Sequence, residues 1–228
     1  MVNGEYIAGL KPVTHGYVSL ALLTVSNSVL SVAVDCSGQP ALPTDSATSS
    51  ISLDQLARTR LGSLVGSEQG YMEQLYTFSF DERDVSQIVV SYLALISSAP
   101  LLAGGACWQP LAELEGEISI QDQVVLDYAL LRLRAKIGYT TIAFHLMPES
   151  FSLSDLQQTY ETILARPIDP RNFRRRMVSS GLLQSENRLR RQGSHRPAAL
   201  FRFAGNHDPA SYLTPDAPPR SGMESDTP

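Results

Sequence analysis

Ten arginines crowd into residues 152–203, where only four carboxylates (Asp155, Glu161, Asp169 and Glu186) oppose them and no lysine occurs. The arginine fork matches phosphates and base edges, so this choice of cation points to recognition of a polyanion rather than to diffuse solubilising charge. In the run IDPRNFRRRMVSSG (168–181) a helical wheel places Phe173 and Met177 on one face. Arg171, Asn172, Arg175 and Ser179 fall roughly opposite, with Arg174 and Arg176 on the flanks. Arginine forked onto guanine and asparagine onto adenine are pairings that read DNA bases, the chemistry expected of Arg171, Asn172 and Arg175. Arg174, Arg176, Arg188, Arg190, Arg191 and Arg196 are placed to meet phosphates.

The elements that must hold these side chains are local and well marked. Ser152 with Asp155 three residues on resembles a capping box, and Leu156, Tyr160, Ile163 and Leu164 repeat at helical spacing. That helix should end near Arg166-Pro167. Asp169-Pro170 starts a second helix with an acidic cap and proline at its first position, and Gly181 stops it. Leu182-Leu183, a polar arginine-rich turn over 184–197 that includes His195, and 199–203 then read as a two-stranded wing. Two helices followed by a basic hairpin form a winged helix-turn-helix, whose second helix fits the major groove of double-stranded DNA.

The rest of the chain differs in charge. Residues 1–151 carry 7 Lys/Arg against 15 Asp/Glu, and residues 204–228 carry one Arg against four acids. An acidic body, a basic module and an acidic Pro-rich tail therefore make up 228 residues, with boundaries read at 1–145, 146–204 and 205–228 and the tail expected to be disordered. With 43% hydrophobic residues, 18% charged residues and a mean hydropathy of −0.07, fibrous and membrane classes are excluded. The apolar stretch over 16–34 is broken by Ser26-Asn27-Ser28 and reads as strand, turn, strand rather than as a membrane span or leader. A cytoplasmic location follows.

The body reads as α+β. Strands are expected over Val18–Val25, Val29–Val34, Tyr71–Phe80 and Gln87–Ile96, and helices over Ser52–Val65 and Ile120–Ile137. No GxSxG, GxxxxGK[ST], GxGxxG or HExxH motif occurs. Cys36 and Cys107 lie in no ligand cluster and are expected as reduced, partly buried thiols. His15, His145, His195 and His207 are scattered, with His145 expected to be packed. No metal site and no cofactor is expected.

The runs YMEQLYTFSFDERD (71–84), YALLRLRAKIGYTTIAFHLMPESFSLSDLQQTYETILARPIDPRNFRRRMVSSGLLQ (128–184) and HRPAALFRF (195–203) resemble the Nudix-related transcriptional regulators of NAD metabolism, the NrtR family, over about residues 13–203. The resemblance implies a Nudix-like α/β/α sandwich followed by a winged helix-turn-helix. It also implies a homodimeric repressor of NAD biosynthesis or salvage genes, released from operator DNA by a small-molecule effector, ADP-ribose or a related nucleotide.

Against that family's catalytic box this sequence departs. Leu42-Pro43 matches the LPGG opening, but the two glycines become Thr44 and Asp45 and the first glutamate becomes Ile51. The REUxEE core becomes Thr59-Arg60-Leu61-Gly62-Ser63-Leu64, leaving Leu61 and the closing Gly66. Holding Mg²⁺ against a pyrophosphate requires several carboxylates on one helix face, and these positions supply none. The chain is therefore expected not to be an enzyme. The resemblance implies a nucleotide pocket between the strand around Tyr71–Phe80 and the vestigial helix, with Arg83, Arg60 and Tyr76 as candidate ligand-binding residues. The alternatives are a pyrophosphatase using Glu113, Glu115 and Glu117, a regulator of the same architecture answering another metabolite, and a body that serves only for dimerisation.

Overall fold

A computed structural model gives the structure, and residues 13–47, 50–82, 85–190 and 197–205 are described. The chain divides into two compact units, one of the chain up to Thr24 with Ser31–Leu130, the other of Val25–Leu30 with Leu131 onward. The expected boundary at 145 thus lies later in the chain than the division seen here, which falls inside a helix.

The first unit is built on a six-stranded sheet. Its strands are β1 (Val13–Ser26), β2 (Val29–Asp35), β3 (Thr44–Ser46), β4 (Tyr71–Glu82), β5 (Val85–Leu95) and β6 (Ala106–Pro110). Their order is β4-β5-β1-β2-β6, with β3 on β1, and β5 runs parallel to β1. Asn27 and Ser28, both at positive φ, make the two-residue turn between β1 and β2. Helix α1 (Leu53–Val65) is capped by the Ser52 hydroxyl, which accepts the Gln55 N–H at 3.1 Å, and ends on Gly66 at φ +76°. It lays Ala57, Leu61 and Leu64 against Val18, Leu20 and Leu22 of β1 and Val90, Tyr92 and Ala94 of β5.

Because side chains alternate along a strand, Tyr17, Ser19 and Val89 face the other side of the sheet. The first turns of α2 (Ile120–Ile137) lie there. Strand β4 contributes to both faces through a register shift between Gln74 and Tyr76. Met72 pairs with Ala94 and packs on the α1 side, whereas Tyr76, Phe78 and Phe80 pair with Ser91, Val89 and Gln87 and face the α2 side. A bulge of this kind moves every later side chain to the opposite face.

The strands β3 and β6 were not anticipated, being only three and five residues long. Pairing of β2 with β6 brings Val34, two residues before Cys36, opposite Cys107. The two cysteines form a disulfide with Cα atoms 6.0 Å apart, correcting the expectation of reduced thiols. Their 71-residue separation carries no local signal, and only the strand pairing joins them.

The second unit combines α3 (Leu153–Leu164), α4 (Pro170–Ser179) and a three-stranded sheet β7-β9-β8 of Phe151–Ser152, Ala198–Phe203 and Leu183–Arg190. Ser152 and Asp155 form the reciprocal capping box expected of them. Helix α3 stops one turn before Pro167, on Ala165 at φ +51°. Leu156, Tyr160 and Ile163 of α3 and Phe173 and Met177 of α4 are buried. Strand β8 runs through Arg190, farther than the Leu182-Leu183 start and polar turn suggested, because it pairs with β9 as far as Arg190 and Ala198 while leaving most of its polar side chains exposed.

Candidate nucleic-acid interface and ligand cavity

Helix α4 is fixed from inside and bare outside. The Asp169 carboxylate accepts the Asn172 N–H at 2.8 Å, Pro170 occupies the first helical position, and Phe173 meets the Tyr160 ring edge-on at 5.2 Å. Arg171, Asn172, Arg174, Arg175 and Arg176 are all exposed. Among the described residues no carboxylate pairs with any of these four guanidinium groups. Arg175 donates to the Asn172 side-chain oxygen at 3.1 Å, tying together the two side chains expected to read bases. Val178, 59% exposed, continues the Arg171–Arg175 stripe one turn on. Sequence reasoning passed over it; an apolar residue on the polar face was its signal, and a valine there fits a thymine methyl.

The wing arginines divide. Arg188 is open to solvent, its nearest carboxylate being Glu186 at 3.8 Å. Arg190, expected to meet phosphate, instead holds the Asp155 carboxylate at 2.5 Å and ties β8 to the cap of α3. Its guanidinium, partly exposed, is committed to that ion pair within the unit. Arg191, Arg196 and His195 lie outside the described residues, as do Arg83, His207 and the expected disordered tail beyond Gly205.

In the first unit the degenerate box has become an ion pair. Arg60 Nε and a terminal nitrogen grip the two Asp45 carboxylate oxygens at 2.6 and 2.5 Å, and the same fork reaches the Thr44 carbonyl at 3.4 Å. Both residues fall in the stretch that the sequence aligns with the Nudix box, and the charge at 60 is answered by the one at 45. Arg60 is thus not an open cation awaiting phosphate. Within α1 the one acid is Asp54, which pairs with Arg58. Among the described residues no three His, Cys, Asp or Glu side chains are grouped to hold a metal.

A cavity of about 130 Å³ lies between the sheet and α2 rather than against α1, where the nucleotide pocket was expected. Tyr17, Ser19, Phe80, Gln87, Gln121 and Asp122 are among its lining residues. Ser19 is 2% exposed and its hydroxyl has no hydrogen-bond partner in the structure. Burial pushes the Asp122 carboxyl above its ordinary value, against the opposing effects of the Ser119 hydroxyl and the Leu42 backbone. The cavity walls carry rings, amides, hydroxyls and the Asp122 carboxyl, and no guanidinium or ammonium group among the described residues. The volume suits one ring. Tyr76 does not line it: half exposed, it stacks on Phe78 at 5.0 Å and Tyr128 at 4.9 Å, and Phe78 in turn stacks on Phe80 at the cavity wall.

Comparison with known proteins supplies the context for both features. Residues 143–203 match the NrtR DNA-binding winged helix domain. The ADPR responsive transcriptional repressor NtrR of Acinetobacter baylyi is 31% identical over 156 residues, 65% of this chain. The match spans 62% of that repressor's length. Shewanella oneidensis NrtR is similar along most of its length, with a TM-score of 0.75 at 25% identity, covering 86% of this chain and 97% of that one. The same Shewanella protein complexed with a 27mer DNA gives a TM-score of 0.72 at 25% identity over 82% and 92% of the two chains.

Proposed function

The chain belongs to the NrtR family of Nudix-related regulators, and from that premise we infer that it is a transcriptional repressor that holds operator DNA with α4 and releases it when a nucleotide occupies the first unit. The observation that carries the reading is the α4 surface. It bears four arginines without carboxylate partners among the described residues, beside an asparagine, on a helix anchored by Phe173 and Met177. Such a helix suits the major groove, with Arg171, Asn172, Arg175 and Val178 toward base edges and Arg174, Arg176 and Arg188 toward phosphates. The target genes are those of NAD biosynthesis or salvage, and the protein acts in the cytoplasm; no helix among the described residues is long and apolar enough to cross a membrane. A homodimer matches the two-fold symmetry of the operators such proteins read.

The effector is ADP-ribose or a related nucleotide, in keeping with the description of the Acinetobacter relative as ADPR responsive. The cavity under α2 takes its base or another ring, with Phe80 as an apolar wall and Ser19 and Asp122 as hydrogen-bonding partners. The phosphates lie outside the cavity, where Arg83 is the candidate partner. Hydrolysis is not part of the function on this reading, since Arg60, paired with Asp45, occupies a position that the resemblance assigns to a magnesium-binding carboxylate. Fluorescence anisotropy of a labelled operator, titrated with ADP-ribose in the presence of Mg²⁺, tests this. Release without consumption of the ligand is expected. An unmoved operator refutes the effector assignment, and turnover refutes the non-catalytic one.

A further inference from the structure

A second cavity, of about 300 Å³, lies wholly within the DNA-binding unit, and its polar side chains, set among apolar Leu164, Ile168 and Phe173, all carry N–H or O–H donors. At its lining Tyr160 is 1% exposed, and its hydroxyl has no hydrogen-bond partner among the described residues. Buried tyrosine hydroxyls ordinarily find one, and a group left without a partner calls for an explanation. The ring is held by Phe173, so the hydroxyl cannot swing away to solvent. Burial pushes its pKa up to about 12, although Arg176 opposes the rise, and the group is therefore a neutral O–H donor at physiological pH.

Arg134, Arg166, Arg176 and Asn172 line the same cavity as Tyr160, and no carboxylate is among its described lining residues. None of the three guanidinium groups has a carboxylate partner among the described residues. Arg134 donates from Nε to the Ile163 carbonyl at 2.9 Å, which aims the side chain and leaves its terminal nitrogens for something else. Glu161, one residue from Tyr160, spends one carboxylate oxygen on the Ile168 N–H at 2.8 Å and the Gln157 amide at 2.9 Å. Three forked cations and one buried phenol make a receptor for a compact oxyanion with several acceptor atoms.

We propose that this cavity binds the phosphate group of a small, free phosphorylated molecule. The placement of the Tyr160 hydroxyl decides between sources of phosphate. A phosphodiester flanked by its sugars can meet only the exposed rim arginines, whereas a compact terminal phosphate that displaces the lining over the hydroxyl, which is closed to solvent, also accepts from it. Taking α4 as the DNA-facing helix, the site also has a consequence for regulation. Arg176 and Asn172 would turn to the bound phosphate and be withdrawn from DNA, so that phosphate and operator oppose each other and each weakens the other by the same factor. This route to the recognition helix is separate from the nucleotide cavity of the first unit.

The test is calorimetric titration of the full chain with inorganic phosphate in phosphate-free buffer, with potassium chloride holding the ionic strength constant. Saturable uptake of one phosphate per chain is expected, weakened about ten-fold or more by Tyr160→Phe, which removes one hydrogen bond to a charged group and keeps the ring. Arg166→Gln, on an exposed rim position, should weaken it comparably without touching the core. Absence of saturable uptake by the unaltered chain overturns the proposal, as does uptake that Arg166→Gln and a folded Tyr160→Phe both leave unchanged. If Tyr160→Phe lowers DNA affinity in the absence of phosphate, the cavity holds a backbone phosphate and the free-ligand assignment falls. None of these phosphate readouts depends on operator binding or ADP-ribose, so failure of the repressor reading would leave them standing.

Discussion

Cutting the two faces of α4 separately should produce two different defects. Arg175 is exposed and bonds only Asn172, so Arg175→Ala should leave folding stability within about 0.5 kcal/mol. Its forked contact to a base is worth ~1–3 kcal/mol, so affinity for the operator should fall about 5- to 150-fold, with a much smaller loss on random DNA of equal length. Phe173 is 3% exposed and packs on Tyr160, so Phe173→Ala removes a buried aromatic side chain at a cost of ~3–5 kcal/mol. Against a typical total of ~5–15 kcal/mol, that is enough to unfold much of the unit near physiological temperature and to weaken every kind of DNA binding. Urea unfolding followed by tyrosine fluorescence gives the first quantity, and anisotropy on specific and random duplexes the second. If Arg175→Ala lowered both DNA affinities by one factor, α4 would not be reading bases. If Phe173→Ala left the unfolding midpoint in place, the inner face would be misassigned.

Three further outcomes follow from other parts of the chain. Reduction of Cys36–Cys107, whose separation is 71 residues, should cost about 4 kcal/mol in the chain-entropy model, and calorimetric scans with and without dithiothreitol should show a lower Tm on reduction; equal Tm values would contradict the pairing. Asp122, raised above its ordinary 3.8 by burial, keeps in the folded state a proton that the unfolded chain has lost, so stability should fall as pH rises between those two values. Asp122→Asn should flatten this slope in urea titrations across that window, and an unchanged slope would refute the cause given. Arg190→Ala should cost under ~1 kcal/mol, its pair with Asp155 being partly exposed, and should leave the salt dependence of DNA binding unaltered; a shallower salt slope would put Arg190 on phosphate after all.

What was legible in the sequence was local. The Asp169-Pro170 cap, the Ser152/Asp155 box and the Phe173–Met177 stripe each lie within a few residues, where capping and the 100° helical repeat decide the outcome. The features missed depend on distant partners. Arg60 finds Asp45 only because β3 pairs with β1 beside α1. Arg190 finds Asp155 across 35 residues, and the disulfide waits on the pairing of β2 with β6. The bulge after Gln74 moves Tyr76, Phe78 and Phe80 to the face opposite that of Met72, so these rings lie on the α2 side of the sheet, where a cavity is found, and not on the α1 side. A periodicity argument has no means to see a single-residue slip, because the alternation on either side of it is intact.

The central claim is that nucleotide and operator are coupled through one chain. Calorimetric titration of ADP-ribose into the protein, free and then saturated with operator duplex, tests it most directly. If the ligand prefers the state that cannot hold DNA, its affinity should be lower on the complex, by the same factor by which ADP-ribose weakens operator binding. Equal affinities in the two titrations would show that the ligand does not distinguish the two states, and the repressor would then have no release mechanism through this nucleotide.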